Sequence, residues 1–213
     1  MSYYKGINQG VSQRLGGHHN AKILLSSVNF AEFVALKEKG DWDTQAQLLC
    51  DEAKRLENAG ADFIILATNT MHKMAKQIEA VLNVPFLHLA DATARRITKT
   101  QYRTIGLLGT KYTMTLDFYK ERLIAKGITP LIPNEQDIEK INNIIYDELC
   151  HGVISDQSRC VYLDVIAKMK AQGAQGIILG CTEITMLIND THTAIPLFDT
   201  TKIHIEDAVS MIF

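Results

Sequence analysis

Short apolar runs alternate with longer amphipathic segments along the chain. The runs are too short for free-standing helices and are bounded by glycine and small polar residues, which is typical of buried parallel strands. We therefore predict strands at 21–28, 62–67, 85–87, 103–108, 128–132, 176–179 and 195–198.

The segments between these runs place apolar residues at helical spacing, with charged residues on the other face. They predict helices at 3–15, 42–59, 91–100, 118–125, 135–149 and 158–171, a helix ending at Ala80, one beginning at Thr201, and a helical or irregular crossing at 30–39. Strands that alternate with helices predict an α/β fold of parallel sheets with right-handed crossovers.

One pattern occurs twice without a gap. Residues 60–70 are G-A-D-F-I-I-L-A-T-N-T, and residues 173–183 are G-A-Q-G-I-I-L-G-C-T-E. A second match follows in the same order, V-P-F-L at 84–87 and I-P-L-F at 195–198. The repeat predicts two pseudo-symmetric α/β halves, each a parallel sheet flanked by helices, with an active site in the cleft between them.

The repeat also predicts the division of the chain. The first half would comprise residues 1–91 with 201–213, and the second half residues 92–200. The second half opens with the strand at 103–108 and a Gly-Thr loop. The same separation counted back from the first repeat falls before Met1, so we expect the N-terminal strand of the first half to be missing.

The composition, net charge and cysteine spacing of the chain limit the classes of protein to which it can belong. A net charge of −2 gives no electrostatic argument for nucleic acid, and 46% hydrophobic residues suffice for a full core. No apolar run approaches a membrane span and the N-terminus has no signal-peptide pattern, which predicts a cytoplasmic protein. Four cysteines form no Cys-x-x-Cys pair and the histidine spacing offers no zinc site, so three of the thiols are expected to be ordinary helix residues.

Thr68 and Cys181 occupy equivalent positions just past two strand ends, where parallel α/β sheets form their sites. Pseudo-symmetry would place them facing each other across the cleft. Stereo-inversion needs this arrangement, because one group removes a proton and the other returns one from the far side. Each group should lie near a helix N-terminus, which is expected to lower the pKa of the Cys181 thiol.

These residues lie in motifs that resemble the aspartate/glutamate racemase superfamily, and within it the bacterial L-aspartate/L-glutamate-specific amino-acid racemases. The motifs are T-N-T-M-H at 68–72 and G-C-T-E-I at 180–184, supported by segments at 86–93, 107–114 and 198–208. The resemblance implies an enzyme without pyridoxal phosphate or metal, in which Cys181 is one acid/base group and Thr68 is the other. Because a threonine hydroxyl is a far poorer base than a thiolate, we assign Cys181 to proton removal from the L-isomer and Thr68 to reprotonation. Threonine, where most of the superfamily has cysteine, implies a slower and directional enzyme.

The resemblance further implies that substrate contacts come from Asn69, Thr70, Thr182, Lys140 and, as a weaker candidate, Lys37. It also implies a homodimer with a small-molecule substrate. His72, inside the first motif, is expected to anchor its loop.

Other readings of the resemblance remain open. They are a single-cysteine decarboxylase of malonate-type acids, a hydantoin racemase, a maleate isomerase, and a truncated protein that binds dicarboxylates without turning them over.

Overall fold

The computed structural model describes residues 1–213 and contains two parallel sheets flanked by helices. The α-helices are α1 Ser2–Leu15, α2 Phe30–Glu38, α3 Trp42–Asn58, α4 Ala75–Val81, α5 Leu89–Thr98, α6 Lys111–Thr115, α7 Asp117–Ile124, α8 Glu135–Asn143, α9 Asp156–Ala171, α10 Ile184–Leu187 and α11 Thr200–Met211. The strands are β1 Ile64–Ile65, β2 Phe86–Leu87, β3 Thr104–Gly109, β4 Thr129–Leu131, β5 Gly176–Gly180 and β6 Leu197–Asp199. The α/β fold predicted from the sequence is confirmed.

The larger sheet has the strand order β4-β3-β5-β6, with every pair parallel. Because β3 and β5 are central, side chains on both of their faces are buried, and these strands consist of nearly continuous apolar residues. On one face Leu108 and Leu179 join a core made with α8 and α9. On the other face Ile105 and Ile178 pack against α5, α7 and α11.

The last residues of the two central strands, Gly109 and Gly180, are register partners. A Cβ on Gly109 would lie 2.8 Å from the carbonyl oxygen of Gly180, and one on Gly180 would lie 2.7 Å from that of Leu108. Both contacts are to backbone atoms, so they could be relieved only if the two strands moved apart. Glycine at both positions therefore allows β3 and β5 to stay paired up to their last residues. Cys181 follows directly after this paired end of β5.

The smaller sheet pairs β1 with β2 in parallel, as the larger sheet pairs β5 with β6. The two copies of the repeat thus form the same supersecondary unit. Both begin at a glycine with positive φ, +95° at Gly60 and +101° at Gly173, a conformation that ends the preceding helix and that side chains disfavour. Ile64 packs with α2, α3 and α4 in a separate core.

The strand predicted at 21–28 is wrong, since these residues form neither helix nor strand. An apolar run becomes a strand only when a neighbouring strand accepts its backbone hydrogen bonds. The smaller sheet contains only β1 and β2, so no strand pairs with this segment. Its side chains Leu24, Leu25 and Val28 are consequently exposed.

Helix α11 joins several parts of the molecule. It packs along α1 and along α5, and Ile203 belongs to the core of the larger sheet. Ala208 and Val209, further along the same helix, pack instead with Ile7 and Val11 of α1. The division into residues 1–91 with 201–213 and 92–200 stays a prediction.

The segment predicted as one helix at 135–149 is α-helical only in its first part. Helix α8 ends at Asn143, a π-helical turn spans Ile144–Glu148, and a 3₁₀ turn spans Leu149–His151. Gly152 then ends the segment with φ +74°.

No helix in the molecule combines the length and apolar character needed to cross a bilayer.

Candidate active site

A cavity of about 400 Å³ lies at the carboxyl ends of β1 and β5. The loops that follow the two strands both line it, as expected for parallel α/β sheets. Six of the seven residues predicted to form the site lie on its wall: Lys37, Thr68, Asn69, Thr70, Cys181 and Thr182. Segments far apart in the sequence therefore meet in one pocket.

Lys140, the seventh residue, is not among the residues that line the cavity. It is exposed on α8, and its ammonium group pairs with Asp137 at 3.2 Å. Asp137 is itself buried and also pairs with Lys168 at 3.1 Å. The structure therefore separates Lys140 from the other candidates and shows it in a surface ion-pair network.

Cys181 is 9% exposed and its thiol donates a hydrogen bond to Oε2 of Glu183, 2.9 Å from Sγ. Burial and the neighbouring carboxylate raise the pKa of Cys181 well above that of a free thiol. The prediction of a lowered pKa is therefore wrong. The backbone N–H of Glu183, at the start of α10, does act to lower the pKa, but desolvation and the Glu183 side chain outweigh it.

Glu183 is a functional candidate that the sequence analysis did not select. Besides the thiol, its carboxylate accepts a hydrogen bond from the Thr182 hydroxyl at 2.6 Å. Lys37 and Glu183 are the only charged residues on the cavity wall. The Gly-Cys-Thr-Glu motif was the available signal, since a carboxylate two residues from a thiol can exchange a proton with it.

Thr68 is half-buried, and its hydroxyl makes no hydrogen bond within the protein. Its carbonyl oxygen, in contrast, accepts a hydrogen bond from Nδ1 of His72 at 2.7 Å. Nε2 of the same ring accepts the backbone N–H of Leu89 at 3.2 Å. The imidazole, whose pKa is lowered to about 3 by burial, thus ties the loop after β1 to the start of α5, which is the anchoring role expected for His72.

Asn69 has an unpaired acceptor. Its Nδ2 donates to the Thr200 hydroxyl at 3.2 Å, whereas its buried Oδ1 has no partner. The backbone N–H groups of Asn69 and of Thr182, its equivalent in the repeat, also make no hydrogen bond within the protein. Buried polar groups are rarely left unpaired, so one acceptor and two donors here are suited to a polar ligand.

Thr70 belongs to a buried cluster of three hydroxyl groups that joins the loop after β1 to the segment after β3. Its Oγ1 lies 2.9 Å from that of Thr110 and 3.4 Å from that of Thr113. Thr110 caps α6 by accepting the backbone N–H of Thr113 at 3.4 Å. The cluster fixes the loop after β1 against the loop after β3.

The cavity wall as a whole is largely apolar, with Lys37 as its single cation. The Lys37 ammonium donates to the Tyr146 hydroxyl at 2.9 Å, and burial lowers the pKa of the lysine.

Cys150 also lines the cavity wall. The expectation that three thiols are ordinary helix residues therefore holds for Cys50 and Cys160 but is wrong for Cys150. No group of three or more histidine, cysteine or acidic side chains is arranged to hold a metal ion.

Comparisons with known proteins show similarity to one family over nearly the whole chain. A family model described as Asp/Glu/Hydantoin racemase matches residues 1–208. The chain is 53% identical to a Yersinia pestis protein assigned provisionally as an Asp/Glu racemase, whose crystal structure superposes with TM-score 0.92 over 98% of this chain and 91% of that one. It is 33% identical to an aspartate racemase homologue from Pyrococcus horikoshii OT3, with TM-score 0.83 over 98% and 92% of the two chains.

A curated relative is more distant. The broad specificity amino-acid racemase RacX of Bacillus subtilis (strain 168) is 25% identical over 174 residues, which are 80% of this chain and 73% of that protein.

Proposed function

The chain belongs to the Asp/Glu/hydantoin racemase family, and from that premise we propose that it racemises an acidic amino acid, aspartate or glutamate, without a cofactor. The observation that carries the proposal is that Thr68 and Cys181 line one cavity. A substrate α-carbon held between them would meet one proton-transfer group on each face.

Cys181 is the base for the L-isomer in this proposal. Its thiol proton moves to the Glu183 carboxylate, 2.9 Å from Sγ, and the thiolate then takes the α-proton of the substrate. The electron pair left on the α-carbon delocalises into the α-carboxylate. Because burial raises the pKa of Cys181, its thiolate is a stronger base than an exposed one would be.

Thr68 completes the inversion from the opposite face. Its hydroxyl, free of internal hydrogen bonds, gives its proton to the α-carbon and recovers one from water. A hydroxyl is a far poorer base than a thiolate, so proton removal from the D-isomer at Thr68 is slower than removal from the L-isomer at Cys181.

The unpaired polar groups of the two loops orient the substrate. Oδ1 of Asn69 accepts from the α-ammonium group, and the free backbone N–H groups of Asn69 and Thr182 donate to the α-carboxylate. Thr70 holds its loop in place through Thr110 and supplies further contact area. These contacts hold two substituents of the α-carbon, the ammonium group and the carboxylate, and so orient that carbon in the cavity.

Exchange of the α-proton in D2O, followed by NMR with L-aspartate and L-glutamate, tests the proposal. We expect the wild-type chain to exchange, the C181S variant to lose at least about a thousandfold in rate, and a control variant at the exposed Cys160 of α9, C160S, to match wild type. Full exchange by C181S would contradict the role of Cys181.

Absence of exchange in the wild type would reject the racemase. Release of CO2 from a malonate-type acid would then favour the decarboxylase, and binding of a dicarboxylate without turnover would favour the non-catalytic binder.

Replacement of Thr68 by cysteine tests the second group. Because a thiol is the better base, we expect T68C to raise the rate of α-proton exchange from D-aspartate by about tenfold or more. T68S, which keeps a hydroxyl, is the matched control and should leave the L-to-D asymmetry unchanged. Equal rates for T68C and T68S would exclude Thr68 from proton transfer.

The assembly and location inferred from the sequence, a homodimer in the cytoplasm, stay predictions. Sedimentation velocity of the purified chain checks the first of these, and fractionation of cells checks the second.

A further inference from the structure

We propose that Thr200 is a positioning residue that fixes which end of the Asn69 side-chain amide is free to meet the substrate. The cavity thereby selects a ligand that carries a hydrogen-bond donor on its α-carbon. This inference rests on the racemase function proposed above. Thr200 is not among the residues that line the cavity, so it acts through Asn69, which is.

Thr200 is held at the junction of β6 and α11. Strand β6 ends at Asp199, the register partner of Leu179 in β5, and Thr200 follows as the first residue of α11. The Asp199 carboxylate caps this helix by accepting the backbone N–H groups of Thr201 and Lys202 at 2.9 and 3.1 Å. Strand pairing and the cap therefore fix the backbone on both sides of Thr200, whose side chain is completely buried.

The hydroxyl group of Thr200 has a single proton, and the use of that proton decides the polarity of the contact with Asn69. The proton is donated to the carbonyl oxygen of Leu179 at 2.9 Å, and a carbonyl oxygen can only accept. Toward the Asn69 amide, 3.2 Å away, the Thr200 oxygen is consequently an acceptor. The end of the amide that faces it is therefore Nδ2, because two acceptors would repel each other.

Fixing Nδ2 also fixes the other end of the amide. The Oδ1 atom of Asn69 is buried and has no partner within the protein. An amide oxygen accepts hydrogen bonds and an amide nitrogen donates them, so an amide turned end for end would present the opposite chemistry at this point. The two orientations have nearly the same shape, so packing alone does not choose between them, whereas the Thr200 hydroxyl does.

The same hydroxyl group connects the amide to the strand that carries the thiol. Leu179 lies two residues before Cys181 in the chain, and Asn69 directly follows Thr68. One buried side chain thus sets the Asn69 amide relative to the two positions proposed to transfer protons.

The fixed orientation favours an α-amino acid over an acid that lacks the amino group. An ammonium group on the α-carbon donates to Oδ1 of Asn69, whereas succinate has both carboxylates of aspartate but no donor at this position. Hydrogen bonds to charged groups contribute more than those between neutral groups. Loss of the acceptor should therefore weaken binding of L-aspartate and leave that of succinate unchanged.

Calorimetric titration of L-aspartate and succinate into wild type, T200V, T200S and N69A tests the inference. Valine has the shape of threonine but no hydroxyl group, so T200V allows the amide to turn. We expect T200V to weaken binding of L-aspartate by about tenfold, the size of one hydrogen bond to a charged group, and to keep the affinity for succinate within about twofold of wild type. T200S keeps the hydroxyl group and should bind both ligands as wild type does.

T93V is the matched control. Thr93 is also completely buried and donates to a backbone carbonyl, that of Leu89 at 3.0 Å, but it makes no hydrogen bond with Asn69. T93V should lose about as much stability as T200V in thermal unfolding, because each variant removes one such bond. It should leave both affinities unchanged.

A double-mutant cycle separates action through Asn69 from a general effect on the structure. The amide is absent in N69A, so adding T200V to that variant should not weaken L-aspartate binding further. In α-proton exchange, T200V should raise KM for L-aspartate with kcat retained, because the ammonium contact is the same before and during proton transfer.

Three results would overturn the inference while leaving the racemase intact. The first is an equal loss of affinity for L-aspartate and succinate in T200V, and the second is a loss from T200V that persists in the N69A background. The third is a T200V variant that binds L-aspartate as wild type does. If wild type exchanges no amino acid, the proposed function fails, and the titrations still decide the role of Thr200. If wild type does not bind L-aspartate, the inference fails as well.

Discussion

At the scale of single residues, the proposed chemistry depends on a thiol that burial and a neighbouring carboxylate keep protonated. Cys181 is buried, and the only carboxylate on the cavity wall accepts its hydrogen bond. Both effects favour the neutral thiol, so in the proposed mechanism the thiolate forms only when Glu183 takes its proton. Thr68 has no such partner, and we therefore expect the two equivalent positions of the repeat to differ in reactivity toward the two faces of the substrate.

Replacing Glu183 by glutamine should have two opposite effects. Without the negative charge, the pKa of Cys181 falls, so alkylation of the thiol by iodoacetamide should begin at lower pH than in wild type. Substrate α-proton exchange should nevertheless slow by about 10²–10⁴-fold, because the proton acceptor is lost.

Peptide mass spectrometry across a pH series reports the alkylation of Cys181 separately from that of the other thiols. E183D, which retains the charge, is the control for both effects. An alkylation profile that does not move in E183Q would mean that Glu183 does not influence the thiol.

At the scale of elements, the site is positioned by the close approach of β3 and β5 at their carboxyl ends. Gly109 and Gly180 permit this approach, and the threonine cluster then joins the loop after β3 to the loop after β1. The loop after β1 and the loop after β3 are thereby held in fixed positions relative to each other beside the cavity.

G180A should disturb both stability and the site. The added Cβ would lie 2.7 Å from the backbone carbonyl of Leu108, and the strands must move apart at a cost of about 1–3 kcal/mol. Since Cys181 is the next residue, exchange activity should fall as well.

Thermal unfolding checks the predicted loss of stability in G180A, and the rate of α-proton exchange checks the predicted loss of activity. G127A is the matched control, because no atom lies within 4 Å of an added Cβ and only its φ of +73° is strained. It should cost about 1 kcal/mol and leave exchange unchanged. A G180A variant as stable and active as wild type would show that the strands tolerate the Cβ.

At the scale of the whole molecule, three buried histidines connect elements distant in the sequence. His72 and His88 lie with ring centroids 4.6 Å apart, and His72 and His204 lie 6.1 Å apart. Nε2 of His204 donates to the Leu87 carbonyl at 2.8 Å, while its Nδ1 accepts from the Tyr3 hydroxyl of α1 at 2.9 Å. The group requires neutral imidazoles, and burial lowers their pKa values.

The stability of the protein should therefore decrease on mild acidification. The pKa values are lowered to about 3 for His72, about 2 for His88 and about 4 for His204. Below about pH 6.5 the unfolded chain binds protons that the folded state does not, so the free energy of unfolding falls by about 1.4 kcal/mol per pH unit for each histidine until its folded pKa is reached.

Urea unfolding between pH 7 and pH 5 measures this slope. H88N keeps an acceptor for the N-cap of α5 but cannot titrate, and should reduce the average slope over this range by about 1 kcal/mol per pH unit. A slope in H88N equal to that of wild type would contradict the prediction.

The sequence by itself determined the features that depend on local pattern. Apolar runs and glycine positions predicted all six strands of the structure, and the gapless repeat predicted the equivalence of the two strand-end loops. That equivalence selected Thr68 and Cys181, because parallel strands bring their carboxyl ends to one edge of a sheet.

Only the tertiary structure decided the features that depend on neighbours distant in the chain. It left 21–28 outside any sheet, included Lys37 in the cavity wall and excluded Lys140, and brought Cys150 and Tyr146 to the cavity through a π-helical turn. Strand formation needs a pairing partner, and a pKa depends on burial and on the nearest charge. Local sequence patterns carry neither kind of information, since each arises when segments far apart in the sequence pack together.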